Sequence, residues 1–440
     1  MSLNRLIVIV AAVLMFAGFA HSQQPEEVLL SRGNGKVRLV KYKNGHWQLL
    51  ADGKPYFIKG IVYEPVKIGE RLTSSNMWVN YDFNGNGICD TAYEAWVDKN
   101  NNNIRDEDEP AKGDFELLKE MGCNTIRIYH PSNINKEILR DLYRCFGIRV
   151  IMGNFFGAYT WGSGASWEDG TDYTDEQQRR NMFEDVRSMV LEYKDEPYIL
   201  FWVLGNENEM TGSYENSTFN NTNARLVPRV YAEFVNEVIE MMHSIDPDHP
   251  AAVSNASPRL LKHFAEYAPA IDILGFNAYM GAYGFGSLWR AVKMDFDRPV
   301  AITEYGVDCY NQIKNVIDED FQAQYHKGCW QDMINNSSGY KGEGNSIGGF
   351  AYNWLDSWWF CGLVSEHDVE KGAWRGPSND SWMNDEWLGI CGQGDGSQSP
   401  FLRQLRKVYY VYKEMWTESG DTLPIGSKGV PRLDERVSLR

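Results

Sequence analysis

Two glutamates stand 97 positions apart, each at the end of an apolar run: Trp202-Val-Leu-Gly-Asn-Glu207 and Val300-Ala-Ile-Thr-Glu304. A pair of carboxyl groups flanking one bond is the equipment of glycoside hydrolysis. One must be protonated to donate to the leaving oxygen, and the other must be ionised to attack or to activate water. A single carboxyl at a strand end is as often a salt-bridge partner, so the pair has meaning only if one architecture carries both to one place. Other polar and aromatic groups close similar runs: Arg127, Tyr129 and His130; Asn277 and Tyr279; Asn353, Trp354 and Asp356, followed by Trp358 and Trp359. Glu209, two residues past Glu207, is the alternative acid.

The elements that must position these groups alternate along the chain. Short β-rich runs predict strands at 57–63, 125–129, 149–152, 198–204, 251–253, 271–276, 299–303 and 347–352, with amphipathic helical patterns between them. Asp114 reads as the cap of a helix stopped at Gly122, and Asn135 as the cap of one stopped at Gly147. Thr174-Asp-Glu-Gln177 reads as a capping box, and Asp52-Gly53 as a hairpin turn. Eight strands separated by helices define an α/β chain, a (β/α)8 TIM barrel with long βα-loop insertions. In that architecture the strand C-termini share one mouth, so Glu207 from strand four and Glu304 from strand seven face each other across it.

Composition narrows the partners. The 440 residues carry a net charge of −17 and include 15 Trp, 24 Tyr and 20 Phe, which excludes a disordered chain and disfavours nucleic acid. A negative surface rich in rings suits a neutral carbohydrate.

Here the sequence resembles a known group. Trp202–Glu207 is similar to the strand-four acid/base motif of the clan A glycoside hydrolases, and Ile302-Thr-Glu-Tyr-Gly306 to their strand-seven nucleophile motif. Cys123–Ile128 matches the strand-two arginine of the clan. The opening Asp52-Gly-Lys-Pro-Tyr-Phe-Ile-Lys-Gly-Ile61 resembles the start of the family 2 barrel and of the fungal β-1,3-glucanosyltransferases. The resemblance covers roughly residues 45 to 415. It implies a retaining mechanism, with Glu304 as nucleophile and Glu207 as acid, then base. Asn206 would hydrogen-bond the sugar 2-hydroxyl, and Arg127 and Tyr279 would contact Glu304 and hold it ionised. Trp354 would form the floor of the central subsite. Apart from the resemblance, the aromatic-rich stretch after strand eight offers Trp358 as a further sugar contact, and His130 reads either as a site residue or as a satisfied polar group at the rim. The sandwich domain that precedes the barrel in family 2 galactosidases and glucuronidases is not expected in the short stretch before Trp47, so their substrates are not expected to carry over. Endo-action on a β-glucan or β-mannan is preferred. A transglycosylase with the same site, and a non-catalytic calcium-dependent carbohydrate-binding or matrix protein, are the alternatives.

The insertion at 64–112 holds two Asp/Asn-rich stretches. Asp82, Asn84, Asn86 and Asp90 fall at positions 1, 3, 5 and 9 of the first; Asp98, Asn100, Asn102 and Asp106 do so in the second, with Glu109 at position 12. Oxygen side chains at this spacing resemble the calcium loops of EF-hand and thrombospondin-repeat type. The expectation is structural Ca2+ bracing one wall of the mouth, with no organic cofactor.

Residues 1–22 read as a secretory signal peptide, with Arg5, an apolar run from Leu6 to Ala20 and a small-x-small site at Ala20-His-Ser22. The mature chain is then expected to be secreted or periplasmic, with no membrane span. The remaining divisions are an N-terminal extension at 23–45, the barrel at 46–415 and a polar tail at 416–440. Seven cysteines at irregular spacing contain no CxxC pair, which disfavours zinc.

Overall fold

The computed structural model describes residues 27–71, 95–109, 111–131, 134–210, 220–281, 284–369 and 376–417. The expected signal peptide, the first calcium-like loop with Asp82, Asn84, Asn86 and Asp90, and the tail beyond 417 lie outside the described residues.

Eight strands close a parallel barrel: Ile58–Val62, Thr125–Ile128, Arg149–Asn154, Ile199–Leu204, Ala251–Asn255, Ile273–Asn277, Val300–Tyr305 and Ser346–Ala351. Each pairs with its neighbour in chain order, and the eighth pairs with the first through Gly348 to Ile58 and Ala351 to Ile61. All eight predicted strands are present. Strand four is buried at every position, as its unbroken apolar run requires when helices cover one face and the barrel interior the other.

Period-two alternation sorts the strand side chains into two cores. Ile126, Ile128, Trp202, Leu204, Ile302 and Tyr305 point outward against the helices. Ile58, Val62, Ile151, Val203, Ala252, Ile273, Ala301 and Phe350 fill the interior. Each large apolar side chain so buried contributes about 1.5–3 kcal/mol.

The N-terminal extension forms, together with the segment that follows it, an antiparallel sheet of Val28–Arg32, Val37–Tyr42, Trp47–Ala51 and Lys54–Pro55. Its alternate residues Val37, Leu39, Trp47 and Leu49 join the interior core and plug the N-terminal end of the barrel. The predicted turn at Asp52-Gly53 is present, with both residues at positive φ (50° and 76°).

Two predicted caps are corrected. Gly113 occupies the cap position of Asp114–Met121, and Asp114 is buried, bonded to Arg403 Nε at 2.6 Å and Nη2 at 2.9 Å and to the Tyr63 hydroxyl at 2.9 Å. Asp175, not Thr174, caps Glu176–Tyr193, accepting from the Gln178 amide at 2.8 Å. Asn135 and Gly147 bound the helix Lys136–Phe146 as expected. A final helix, Lys407–Thr417, was not predicted; it packs on Glu319–Asn335 and on Asp114–Met121 and buries Trp416. No helix among the described residues is long and apolar enough to cross a membrane, and the six described cysteines are free thiols.

Candidate active site

Arg127 is the centre of the mouth. Strand alternation turns it inward from strand two, where it is 1% exposed. A buried guanidinium is costly unless its donors are satisfied, and here five acceptors surround it. Nη1 donates to Glu304 Oε1 at 2.9 Å, the Thr303 carbonyl at 2.9 Å and Asn277 Oδ1 at 3.1 Å; Nη2 donates to Asn206 Oδ1 at 3.0 Å and Ser254 Oγ at 3.3 Å. Residues on strands five, six and seven, and one just past strand four, are thereby tied to one side chain of strand two.

A bulge aims Glu304. Phe276 pairs with Ile302, but Asn277 pairs with Glu304, so strand seven carries one extra residue there. Thr303 and Glu304 consequently both face inward, where strict alternation would turn Glu304 out into the helix layer. Its Oε1 accepts from Arg127, from the Tyr129 hydroxyl at 2.5 Å and from Asn277 Nδ2 at 2.6 Å, and its Oε2 accepts from the Tyr279 hydroxyl at 2.8 Å. Four donors converge on this one carboxylate.

Glu207 is held differently. The chain leaves strand four through Gly205 at φ 77°, where a Cβ would lie 2.5 Å from Asn208 Oδ1, and Glu207 itself sits at φ 56°. A non-glycine residue in the left-handed region needs surrounding support. The Glu207 amide donates to the Ser254 carbonyl at 3.1 Å, its carbonyl accepts from Asn220 Nδ2 at 2.7 Å, and Asn208 Oδ1 accepts from the Asn206 amide at 2.7 Å. Burial, and then the charge of Glu304, push the Glu207 carboxyl up to about 8. Asn206 accepts from Arg127 and from Asn277 Nδ2 at 2.9 Å and donates to the Tyr159 hydroxyl at 3.2 Å.

Glu209 points elsewhere. Its Oε1 accepts from the amides of Ala256 and Ser257 at 2.7 and 2.8 Å, so it pins the loop after strand five, and burial pushes it up to about 7. Glu207, Glu304, Asn206, Arg127 and Tyr279 therefore meet in one network. His130 stands beside it in an aromatic wall, stacked on Phe155 at 5.7 Å and edge-on to Trp161 at 5.0 Å, and burial lowers its pKa. Phe155 in turn stacks on Tyr129 at 6.0 Å.

The two tryptophan expectations are corrected. Trp354 is 0% exposed and packs outward against Tyr409 of the last helix, leaving no face for a sugar. Trp358 is covered by His367, stacked at 4.6 Å, which itself stacks on Trp387 at 3.5 Å. Tyr352 occupies the inward position of strand eight, in the field of Glu64 and Glu304.

Sequence reasoning missed Glu64. It follows strand one as Glu304 stands near the end of strand seven, but in the sequence it falls at the start of the insertion. It is 6% exposed, and burial, then the charge of Glu304, push it up to about 8. The sequence marks Asn277 and Tyr129 as strand-end residues without a role; their spacing from the strands is the available signal.

In the second calcium-like loop, Asn103 takes the sharp-turn position at φ 61°. Asp98 accepts from the amides of Asn102 and Asn103, and Asn102 Oδ1 from that of Ile104. Asn100 and Asn102 donate to Asp106, and Glu109 bridges the amides of Lys99 and Asp106. Asp98 and Glu109 are buried, and the loop's acceptors are all oxygens, the donor type a hard divalent cation takes. Among the described residues, the three metal-binding groups that converge on one point are Cys361, Asp368 and Glu386. Glu386 is there occupied by the amides of Cys361 and Asp368.

A closed parallel (β/α)8 barrel whose strand ends four and seven carry two glutamates, one of them bound by a buried arginine, is a barrel of the glycoside hydrolase class. The model of the glycosyl hydrolases family 2, TIM barrel domain, matches residues 105–344, and the chain belongs to that family. No curated protein sequence matches it. Among solved structures it is similar to a β-D-glucuronidase from Dictyoglomus thermophilum, at 17% identity and TM-score 0.50, over 90% of this chain and 54% of that one. A β-galacturonidase from Eisenbergiella tayi bound to galacturonate gives 16% identity, TM-score 0.50, 90% and 54%. The agarase AgWH50C gives 14%, 0.50, 90% and 64%. The chain thus spans about half the length of the first two, and these likenesses speak for the fold.

Proposed function

We propose that the chain is a retaining β-glycosidase acting on a neutral β-linked poly- or oligosaccharide. The carrying observation is the contrast between the two carboxyls: Glu304 collects four donors, while Glu207 is pushed up to about 8 by burial and by the charge of Glu304. Two acids in one mouth with opposed surroundings divide into nucleophile and acid.

In this reading Glu304 attacks the anomeric carbon while Glu207 passes its proton to the leaving oxygen, giving a glycosyl ester on Glu304. Glu207, now ionised, takes a proton from water, the water oxygen attacks the same carbon, and Glu304 is released. Arg127, Tyr129, Asn277 and Tyr279 hold the attacking carboxylate in place. Asn206, oriented by Arg127 and Asn277, is directed to the sugar 2-hydroxyl. The solved neighbours are named as a glucuronidase, a galacturonidase and an agarase; for this chain we favour a neutral sugar because Glu64 and Glu304 already share the field of one guanidinium and Glu207 lies in the field of Glu304.

Structural calcium in the loops of residues 82–109 is part of this proposal, supported by the all-oxygen second loop, and its task is to order that segment. Export is proposed on the Leu6–Ala20 apolar run. The test is product analysis on β-1,3-, β-1,4- and mixed-linkage glucans, mannans and galactans, beside Glu304→Ala, with proton NMR of the first-formed anomer. Shorter chains bearing the β-anomer, absent in the variant, are expected. An α-anomer formed first excludes double displacement, and activity surviving in Glu304→Ala excludes this site.

A further inference from the structure

Glu64 is a buried carboxyl of the mouth that the mechanism above does not use. It is 6% exposed, directly beyond strand one, whose Val62 pairs with Arg127. Its charge acts on Tyr129, Tyr159 and Tyr352, and that of Glu304 acts on it. Among the described residues no donor hydrogen-bonds to its carboxyl, and no Lys, Arg or His forms an ion pair with it. A polar group nine-tenths buried and lacking a protein partner is costly unless a ligand supplies one.

The barrel order says which part of a ligand reaches it. Glu207, the proposed acid, stands at strand four, so the leaving group lies on that side of the mouth. Strand eight is diametrically opposite in an eight-stranded barrel, and strand one is its neighbour. The sugar ring whose anomeric carbon meets Glu304 therefore extends toward strands eight, one and two, where Glu64 and Tyr352 stand. What a sugar offers there is its hydroxyls remote from the anomeric carbon.

We infer that Glu64 is a specificity-determining residue that binds a remote hydroxyl of the glycone and makes this subsite one for a neutral sugar rather than a uronic acid. The inference rests on the glycosidase reading above. A uronate would place a second anion beside Glu304, and Arg127, the cation bonded to Glu304, already gives its Nη donors to five acceptors. Glu64 offers there a carboxyl with no protein partner among the described residues, which can bond a hydroxyl in either protonation state but can bond a carboxylate only as the neutral acid.

The experiment uses the full chain and aryl β-glycosides of the sugar found in the polymer panel, together with the set of its single-deoxy analogues and the matching β-uronide. Wild type, Glu64→Gln and Glu64→Ala are compared, with thermal unfolding as the folding control. Glu64→Ala is expected to lower kcat/KM about 10- to 100-fold on the parent glycoside, the scale of a hydrogen bond to a charged or strongly polar group. That loss should vanish on one deoxy analogue, and Glu64→Gln should recover part of it. The uronide should be the poorest substrate of wild type. Equal losses on the parent and on every deoxy analogue would mean a merely structural residue and overturn the inference, as would a wild type that prefers the uronide. Absence of hydrolysis of any glycoside by the wild type would instead remove the glycosidase reading itself.

Discussion

Replacing Glu207 by glutamine separates what the site does for chemistry from what it costs the fold. The Glu207 carboxyl is pushed up to about 8 from an ordinary value of 4.5, first by burial and then by Glu304. Between those two values the native state holds a proton that the unfolded chain has released. Stability therefore falls as pH rises through that window, at up to about 1.4 kcal/mol per pH unit from this group. The cost is absent below about pH 4.5, has grown to about 3 kcal/mol at pH 7 and levels off above about pH 8. Glutamine has the same shape and cannot ionise, so Glu207→Gln should unfold later than wild type at pH 7, by several degrees, and at the same temperature as wild type near pH 4.5. The same variant should lose about 10²- to 10⁴-fold in kcat, since no proton can then be given to the leaving group. Scanning fluorimetry from pH 4.5 to 8.5, beside initial rates with an activated and an unactivated leaving group, reads both. An unfolding difference that does not change with pH would refute the argument that buried Glu207 carries its proton into the native state. A uniform rate loss for both leaving groups would refute its role as the acid.

Three further outcomes follow from the contacts. Tyr279→Phe and Tyr129→Phe each remove one donor from Glu304 and should each lower kcat about 10- to 100-fold with little change in thermal unfolding, measured by steady-state kinetics. Trp354→Phe should lower stability by about 1–3 kcal/mol in denaturant unfolding and leave KM unchanged, because its ring is core, whereas Tyr352→Ala should raise KM. Chelation should lower the unfolding temperature and calcium should restore it, and Asp98→Ala should abolish that response; an unfolding temperature indifferent to chelator would remove calcium from the fold.

The parts of the molecule legible in the sequence are those with local causes. The eight strands were legible because apolar runs and amphipathic helices alternate, and the two glutamates because each directly ends such a run. What failed depended on distant partners. Asp114 has every local mark of a helix cap, yet Arg403, 289 residues later, draws it into a buried ion pair. Trp354 follows strand eight, but the alternation that turns Phe350 and Tyr352 inward does not continue past Asn353, and the ring is drawn instead to Tyr409 on a helix that was not foreseen. Glu64 was hidden because strand one runs into an insertion whose Asp/Asn pattern is far stronger than one carboxyl.

The same contrast explains why the site is built as it is. A carboxylate that is to attack must keep its charge and its aim while buried, and neither can come from its own strand. The bulge in strand seven turns Glu304 inward, but alone it would leave a buried charge unpaired. Arg127 supplies the opposite charge, and would itself hold unsatisfied buried donors without Asn206, Ser254, Asn277 and the Thr303 carbonyl. Asn206 in turn fixes the start of the turn that places Glu207 in the left-handed region, so that the proposed acid and the proposed nucleophile are positioned by one guanidinium. Donors held in advance on rigid strand ends need no reorganisation when charge moves between the two carboxyls, which is where an enzyme gains most over water. The geometry thus ties catalytic competence to closure of the whole barrel, since the groups that must agree sit on strands two, five, six and seven and on the turn that follows strand four.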